Sequence, residues 1–100
     1  MKTLIKNGTL ITASDTFKSD ILIEDEKITR IGLNLEADSD HVVDATNKLI
    51  LPGGVDPHVH LDLPMFDTVS SDDHYSGHKA AAFGGTTTAI TGSDGTFELI

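Results

Sequence analysis

The chain has 100 residues, enough for one small domain. Sixteen acidic residues against seven basic ones give a net charge of −9, which argues against nucleic acid and anionic membrane surfaces as partners. There is no cysteine, so a disulfide framework and a thiolate metal site are both excluded, and any metal must take nitrogen and oxygen ligands.

Met1-Lys2-Thr3-Leu4-Ile5 lacks the apolar core of a signal peptide, and no apolar run approaches about 18 residues, so the expected location is the cytoplasm. Leu4-Ile5-Lys6, Thr9-Leu10-Ile11-Thr12 and Asp20-Ile21-Leu22-Ile23-Glu24 are short β-prone runs. Asn7-Gly8 and Ala13-Ser14-Asp15 between them carry turn chemistry. Asp25-Glu26-Lys27 turns the chain into a second alternating strand, Lys27 to Gly32. An acidic loop, Glu36 to Asp40, precedes His41-Val42-Val43-Asp44-Ala45, and His41 reads as a surface histidine. Asn47 marks another turn before Lys48-Leu49-Ile50-Leu51. Residues 1–51 therefore predict a small all-β unit built of meanders.

The break Pro52-Gly53-Gly54 leads into an extended run, Val55-Asp56-Pro57-His58-Val59-His60. Successive side chains of a strand point to opposite faces. His58 and His60 then share a face, and Val55, Pro57 and Val59 take the other. Two imidazoles from one strand can fill two coordination positions on a single divalent ion such as zinc, iron, nickel or copper. Asp56 lies on the same face and is placed to hold a ligand histidine by its second ring nitrogen. A bare His-x-His also describes two half-exposed histidines on a solvated face. The context favours chemistry: apolar Leu49-Ile50-Leu51 comes before, and the apolar loop Leu61-Asp62-Leu63-Pro64-Met65-Phe66 comes after. Strand ends followed by loops are where α/β barrels keep their chemistry.

Within that loop Leu63, Met65 and Phe66 need cover, either from a neighbouring element or as a lid on a substrate's ring substituent. Ser70 or Ser71 is the expected N-cap of a helix from Asp72 to Phe83 that ends at Gly84-Gly85. Tyr75, Lys79, Ala82 and Phe83 form its partial stripe. His74 and His78 have the i, i+4 spacing of a helical zinc pair. No glutamate stands between them in the His-Glu-x-x-His pattern, and an outer helix face puts them in solvent. Thr86 to Thr91 is the next strand, parallel to the first, so strand 54–60, helix 72–83 and strand 86–91 make one βαβ unit. Thr91-Gly92-Ser93-Asp94-Gly95 is turn-rich, and Thr96 to Ile100 alternates like a strand.

The run Pro52-Gly53-Gly54-Val55-Asp56-Pro57-His58-Val59-His60-Leu61-Asp62-Leu63-Pro64 resembles the first barrel strand of the amidohydrolase superfamily. Within it, Leu61 to Phe66 and Ala80-Ala81-Ala82-Phe83-Gly84-Gly85-Thr86-Thr87-Thr88 resemble the cyclic amidohydrolases, D-hydantoinase and dihydropyrimidinase. The resemblance begins at Leu4-Ile5-Lys6-Asn7-Gly8 and covers roughly the first 90 residues. It implies an α/β fold: the start of a (β/α)8 TIM barrel in residues 52–100, preceded by part of a β-sandwich subdomain in residues 1–51. A complete barrel takes about 250 residues, so the chain is expected to be an N-terminal piece.

The same resemblance implies hydrolysis of the cyclic amide bond of hydantoins or dihydropyrimidines with two divalent ions, zinc. His58 and His60 hold one ion, Asp56 supports them, and Leu63, Met65 and Phe66 shape the substrate pocket. A carboxylated lysine bridging the ions, two further histidines and a proton-shuttling aspartate all fall beyond residue 100. The chain then holds no general base and is expected to be inactive alone. The implied partners are a small cyclic amide and further copies of the full-length protein, as a homodimer or homotetramer. Dihydroorotase-like chains carry an arginine two residues after the second histidine, where this chain has Asp62, so dihydroorotase ranks behind, as does allantoinase. Non-enzymatic relatives lack the ligand histidines, and both are present here. The alternative of another class is a non-catalytic structural or interaction module of the same fold.

Overall fold

Alternating apolar residues in the first fifty positions build a five-stranded sheet. Strands β1 (Lys2–Ile11), β2 (Thr16–Glu24) and β3 (Lys27–Gly32) form an antiparallel meander, while β4 (His41–Asp44) and β5 (Leu49–Ile50) return along the other edge of β1 and run parallel to it. The meander expectation thus holds for three strands and is corrected for the last two. The computed structural model describes residues 1–91 and the strand at 98–99. These fall into two compact units, Met1–Pro52 and Gly53–Ile100.

Leu4 and Leu22 face each other across β1 and β2, and Leu35 closes over them as the buried cluster of the first unit. Asn7-Gly8 is a correction. The chain does not turn there; β1 runs straight through with a register shift between Ile5 and Gly8, and Asn7 sits at φ 65°. A β-bulge and a tight turn recruit the same left-handed asparagine, so the local sequence does not separate them. The turns at 12–15, Asp25 and Asn47 form as expected, with Asp25 and Asn47 also at positive φ.

The second unit is a βαβ unit. Strand β6 (Gly54–Val59) pairs in parallel with β9 (Thr86–Thr91), and helix α1 (His74–Phe83) connects them and packs on β9. Strand β10 (Glu98–Leu99) adds to β9 antiparallel. The rest of the tail, residues 92–97 and 100, lies outside the described residues. Gly53 is required where the strands start, because a Cβ there would run into the Thr87 side chain.

The helix begins two residues later than expected. Asp73, not Ser70 or Ser71, is the N-cap: its carboxylate accepts from Ser76 N–H at 2.6 Å, and Ser76 Oγ accepts from Asp73 N–H at 3.1 Å. This reciprocal capping box satisfies two orphan donors. The expected stripe is also corrected. Tyr75 and Phe83 are exposed, and the half-buried positions are Ser76, Gly77, His78 and Ala81. Among the described residues no helix is long and apolar enough to cross a membrane.

Candidate metal centre

His58 lies near the end of β6 and His60 one residue beyond it. Their Nε2 atoms approach to 3.1 Å, with ring centroids 5.0 Å apart and planes at 78°. Two imidazoles bonded to one tetrahedral ion at about 2.0–2.1 Å place their nitrogens roughly 3.3–3.4 Å apart. The observed 3.1 Å is the distance of a hydrogen bond between a ring N–H and a ring nitrogen, and a shared ion would part the two nitrogens by a few tenths of an ångström. Among the described residues no group of three or more His, Asp or Glu side chains gathers to hold a metal ion.

The strand end is irregular. The β6–β9 register shifts between Asp56 and Val59, and Pro57 in that step has no N–H to give the ladder. Bulges of this kind re-aim side chains. His58 N–H turns to Asp56, whose Oδ1 accepts it at 3.1 Å. The sequence placed Asp56 behind a ligand ring; the hydrogen bond observed is to the main chain, and it fixes His58 through its backbone.

His74 and His78 form the other histidine pair, with ring centroids 5.5 Å apart and tilted by 44°. His74 is exposed as expected. His78 is not in solvent: it is half-buried, its Nε2 is buried without a hydrogen-bond partner among the described residues, and it lines a groove of about 310 Å³ with Ala81, Ala82 and Thr86 to Ala89. The correction follows from how α1 docks: it packs on β9, and His78 is on the side that lines the groove with Thr86 to Ala89. His41 opens β4 and is exposed.

The apolar loop is a small hairpin. Strands β7 (Pro64–Met65) and β8 (Thr68–Val69) pair across a turn at Phe66-Asp67, with Phe66 at φ 54°. Leu63 at its base is half-buried, Met65 is half exposed, and Phe66 at the tip is fully exposed. The contacts that fix this loop escaped the sequence reading. Asp62, at φ 51°, accepts from His74 N–H through Oδ2 at 3.1 Å, and its own N–H donates to Asp72 O at 3.0 Å. Leu63 N–H donates to Ser70 Oγ at 2.9 Å, and Ser70 N–H to Leu63 O at 2.8 Å. Leu61 is 6 % exposed and sits against Gly77, where a Cβ would collide with it. A glycine in the middle of an otherwise alanine-rich helix is the signal that marks such a close approach.

No protein-family model matches the chain. Over 90 residues it is 56% identical to a D-hydantoinase of Geobacillus stearothermophilus, covering 90% of this chain and 19% of that protein. Over 89 residues it is 49% identical to a dihydroorotase of Halalkalibacterium halodurans, covering 88% of this chain and 20% of that protein. The solved structure of dihydropyrimidinase from Brevibacillus agri NCHU1002 superposes with a TM-score of 0.85 at 52% identity, covering 95% of this chain and 21% of that one. The chain spans about a fifth of the length of the relatives it matches.

Proposed function

We infer, for a chain homologous to the N-terminal region of the D-hydantoinase and dihydropyrimidinase family, that it is the opening segment of a metal-dependent hydrolase of cyclic amides. On this reading residues 1–51 contribute to a β-sandwich subdomain and residues 52–100 begin a (β/α)8 barrel. The observation that carries it is the 3.1 Å convergence of His58 and His60 Nε2 at the C-terminal end of a parallel strand, the end of a barrel strand where catalytic groups collect.

A divalent ion held there by His58 and His60 would supply Lewis acidity toward a ring carbonyl and lower the pKa of its water, and imidazole donors suit zinc among other such ions. The chain's own residues hold and shape. His58 and His60 present imidazole nitrogens from a strand. Asp56 pins the main chain of His58. Leu63, Met65 and Phe66 offer apolar surface to a ring substituent. Asp62 stands two residues past the second histidine, where dihydroorotase-like chains carry an arginine, and its carboxylate is turned to the His74 N–H. Without that arginine the position favours the neutral cyclic amides over dihydroorotate, although a relative bearing the dihydroorotase name matches at 49% identity.

The test is expression of the full reading frame that carries this segment, with metal analysis and turnover of hydantoin, dihydrouracil and dihydroorotate. Turnover of the first two with bound divalent metal is expected. Turnover of dihydroorotate alone moves the protein to the neighbouring activity, and a metal-free protein without turnover leaves the structural-module alternative.

A further inference from the structure

Asn7 and Gly8 stand on β1 at its register shift, between the two parallel partners of that strand: β4 pairs along Thr3 to Lys6, and β5 along Thr9 and Leu10. The fold asks for both residue types. Asn7 holds a left-handed φ of 65°, and its N–H donates to the Asp20 carboxylate at 2.8 Å. Gly8 is buried, and a Cβ there would run into Ile50. An asparagine followed by glycine is chemically labile, because no side chain shields the following backbone nitrogen from the asparagine carboxamide. The other two asparagines of the chain make the comparison. Asn34 and Asn47 are likewise exposed, with φ of 51° and 61°, but Leu35 and Lys48 follow them. The three asparagines thus share a left-handed φ and differ in the residue that comes next.

We propose that Asn7 is a deamidation site built into the sheet, open to reaction when β1 loosens at its bulge. The Gly8 backbone nitrogen gives its proton to water and bonds to the Asn7 side-chain carbonyl carbon. The bond from that carbon to the side-chain nitrogen breaks, and ammonia leaves with a proton returned by water. Water then opens the five-membered imide at either carbonyl, which leaves aspartate or isoaspartate at position 7. The closed sheet holds the reaction back, since Gly8 is buried and the Asn7 N–H is tied to Asp20, so ring closure waits on local opening. The product disturbs the sheet. Asp44 is held below the usual carboxylate range by the Thr46 hydroxyl and N–H, and after them by the Asn7 side chain. A carboxylate at position 7 replaces that donor with a like charge. Isoaspartate also lengthens the main chain by one carbon between two anchors of the edge: Lys6 O, which accepts from Ala45 N–H, and Thr9 N–H, which donates to Lys48 O. The segments β4 and β5 then lose their common register.

The full-length protein is incubated in mildly alkaline buffer, folded and in urea, and the three asparagines are followed by peptide mass spectrometry with isoaspartate detection. In the folded protein Asn7 is expected to be converted while Asn34 and Asn47 stay intact, and more slowly than in urea. Asp20→Ala frees the Asn7 N–H and speeds its conversion about fivefold or more, the added opening expected from one lost hydrogen bond, with no rise at Asn47. Asn7→Asp, which carries one product from the start, lowers the denaturant midpoint. An Asn7 that survives in the folded protein while the unfolded chain is fully converted overturns the site, as does equal conversion of all three asparagines. Conversion unchanged by Asp20→Ala, or matched by an equal rise at Asn47, overturns the gate at the bulge. An unshifted midpoint for Asn7→Asp overturns the effect on the sheet.

Discussion

The carboxylate of Asp20 accepts a hydrogen bond from the backbone N–H of Asn7 at 2.8 Å, where β1 bulges. Its other oxygen accepts from Leu35 N–H at 3.0 Å, and Lys6 Nζ stands 4.0 Å away. The Asp20 side chain is 6% exposed. One buried carboxylate therefore holds both the irregular strand and the loop that covers Leu4 and Leu22. Asp20→Ala is expected to lower stability by about 1–3 kcal/mol, since it leaves the buried Leu35 N–H and the part-buried Asn7 N–H without their acceptor. Asp20→Asn, with one acceptor left, loses less. Denaturant midpoints of the two variants check the order; equal midpoints with the wild type would remove Asp20 from this role.

Metal content separates the two histidine pairs. In the full-length protein His58→Ala or His60→Ala is expected to remove about one ion per chain and to abolish turnover, because a half-site stripped of one imidazole is too weak to fill. His74→Ala and His78→Ala leave metal and rate nearly unchanged. Asp56→Ala lowers turnover by roughly 10- to 100-fold, the usual size of losses behind a ligand. Asp56→Asn loses less, since an amide oxygen still accepts from His58 N–H. Metal analysis and rates on the six variants decide this.

Helix α1 is acid-sensitive through its cap. The Ser76 backbone N–H, and after it the Ser76 hydroxyl, hold the Asp73 carboxyl below the usual carboxylate range. A depressed folded value means the cap stabilises above the unfolded value of about 3.9 and loses that contribution as pH falls through the folded one. Circular dichroism of wild type and Asp73→Asn from pH 5 to pH 2 tests it. The uncharged cap is expected to flatten the part of the acid transition that belongs to the helix; superimposable curves would assign that transition elsewhere.

Gly77 tests close packing against helix propensity. Gly77→Ala gains about 1 kcal/mol in propensity but drives a methyl group into Leu61, an overpacking loss of about 1–3 kcal/mol. The net is expected to be destabilising by about 1 kcal/mol. In a Leu61→Ala background the same substitution is expected to stabilise. A double-mutant cycle with no coupling would show that Leu61 and Gly77 are not in contact.

Much of this was legible in the sequence for reasons that can be named. Period-2 alternation gave β2 and β3, and the run from Gly54 to Thr91 declared strand, helix and strand with the two strands parallel. His58 and His60 were marked by their spacing together with the apolar runs on either side and the resemblance of the segment. What stayed hidden depends on contacts distant in sequence. Asn7 reads as a turn until Asp20 is seen to hold it as a bulge. The helix start depends on the Asp73–Ser76 exchange winning over two nearby serines. His78 lines the groove with β9 because of how α1 docks on that strand, which helical spacing alone does not give. The Asp62–His74 bond joins residues twelve positions apart, across a hairpin that composition alone reads as an apolar loop.

Strand β1 takes β2 on one edge from its immediate neighbourhood, and takes β4 and β5 on the other from roughly 40 residues later. During synthesis the meander to Gly32 can zip before the second edge has anything to pair with. At about 5–20 residues per second, the 18 residues from Gly32 to Ile50 take ~1–4 s to follow. Through that interval Leu4, Ile5, Leu10 and Ile11 sit on a strand with an open side, the arrangement most prone to pairing with another chain. The ribosome's pace over residues 33–50 thus becomes part of how safely this sheet is made, and slow codons there are expected to increase aggregation without altering a single side chain.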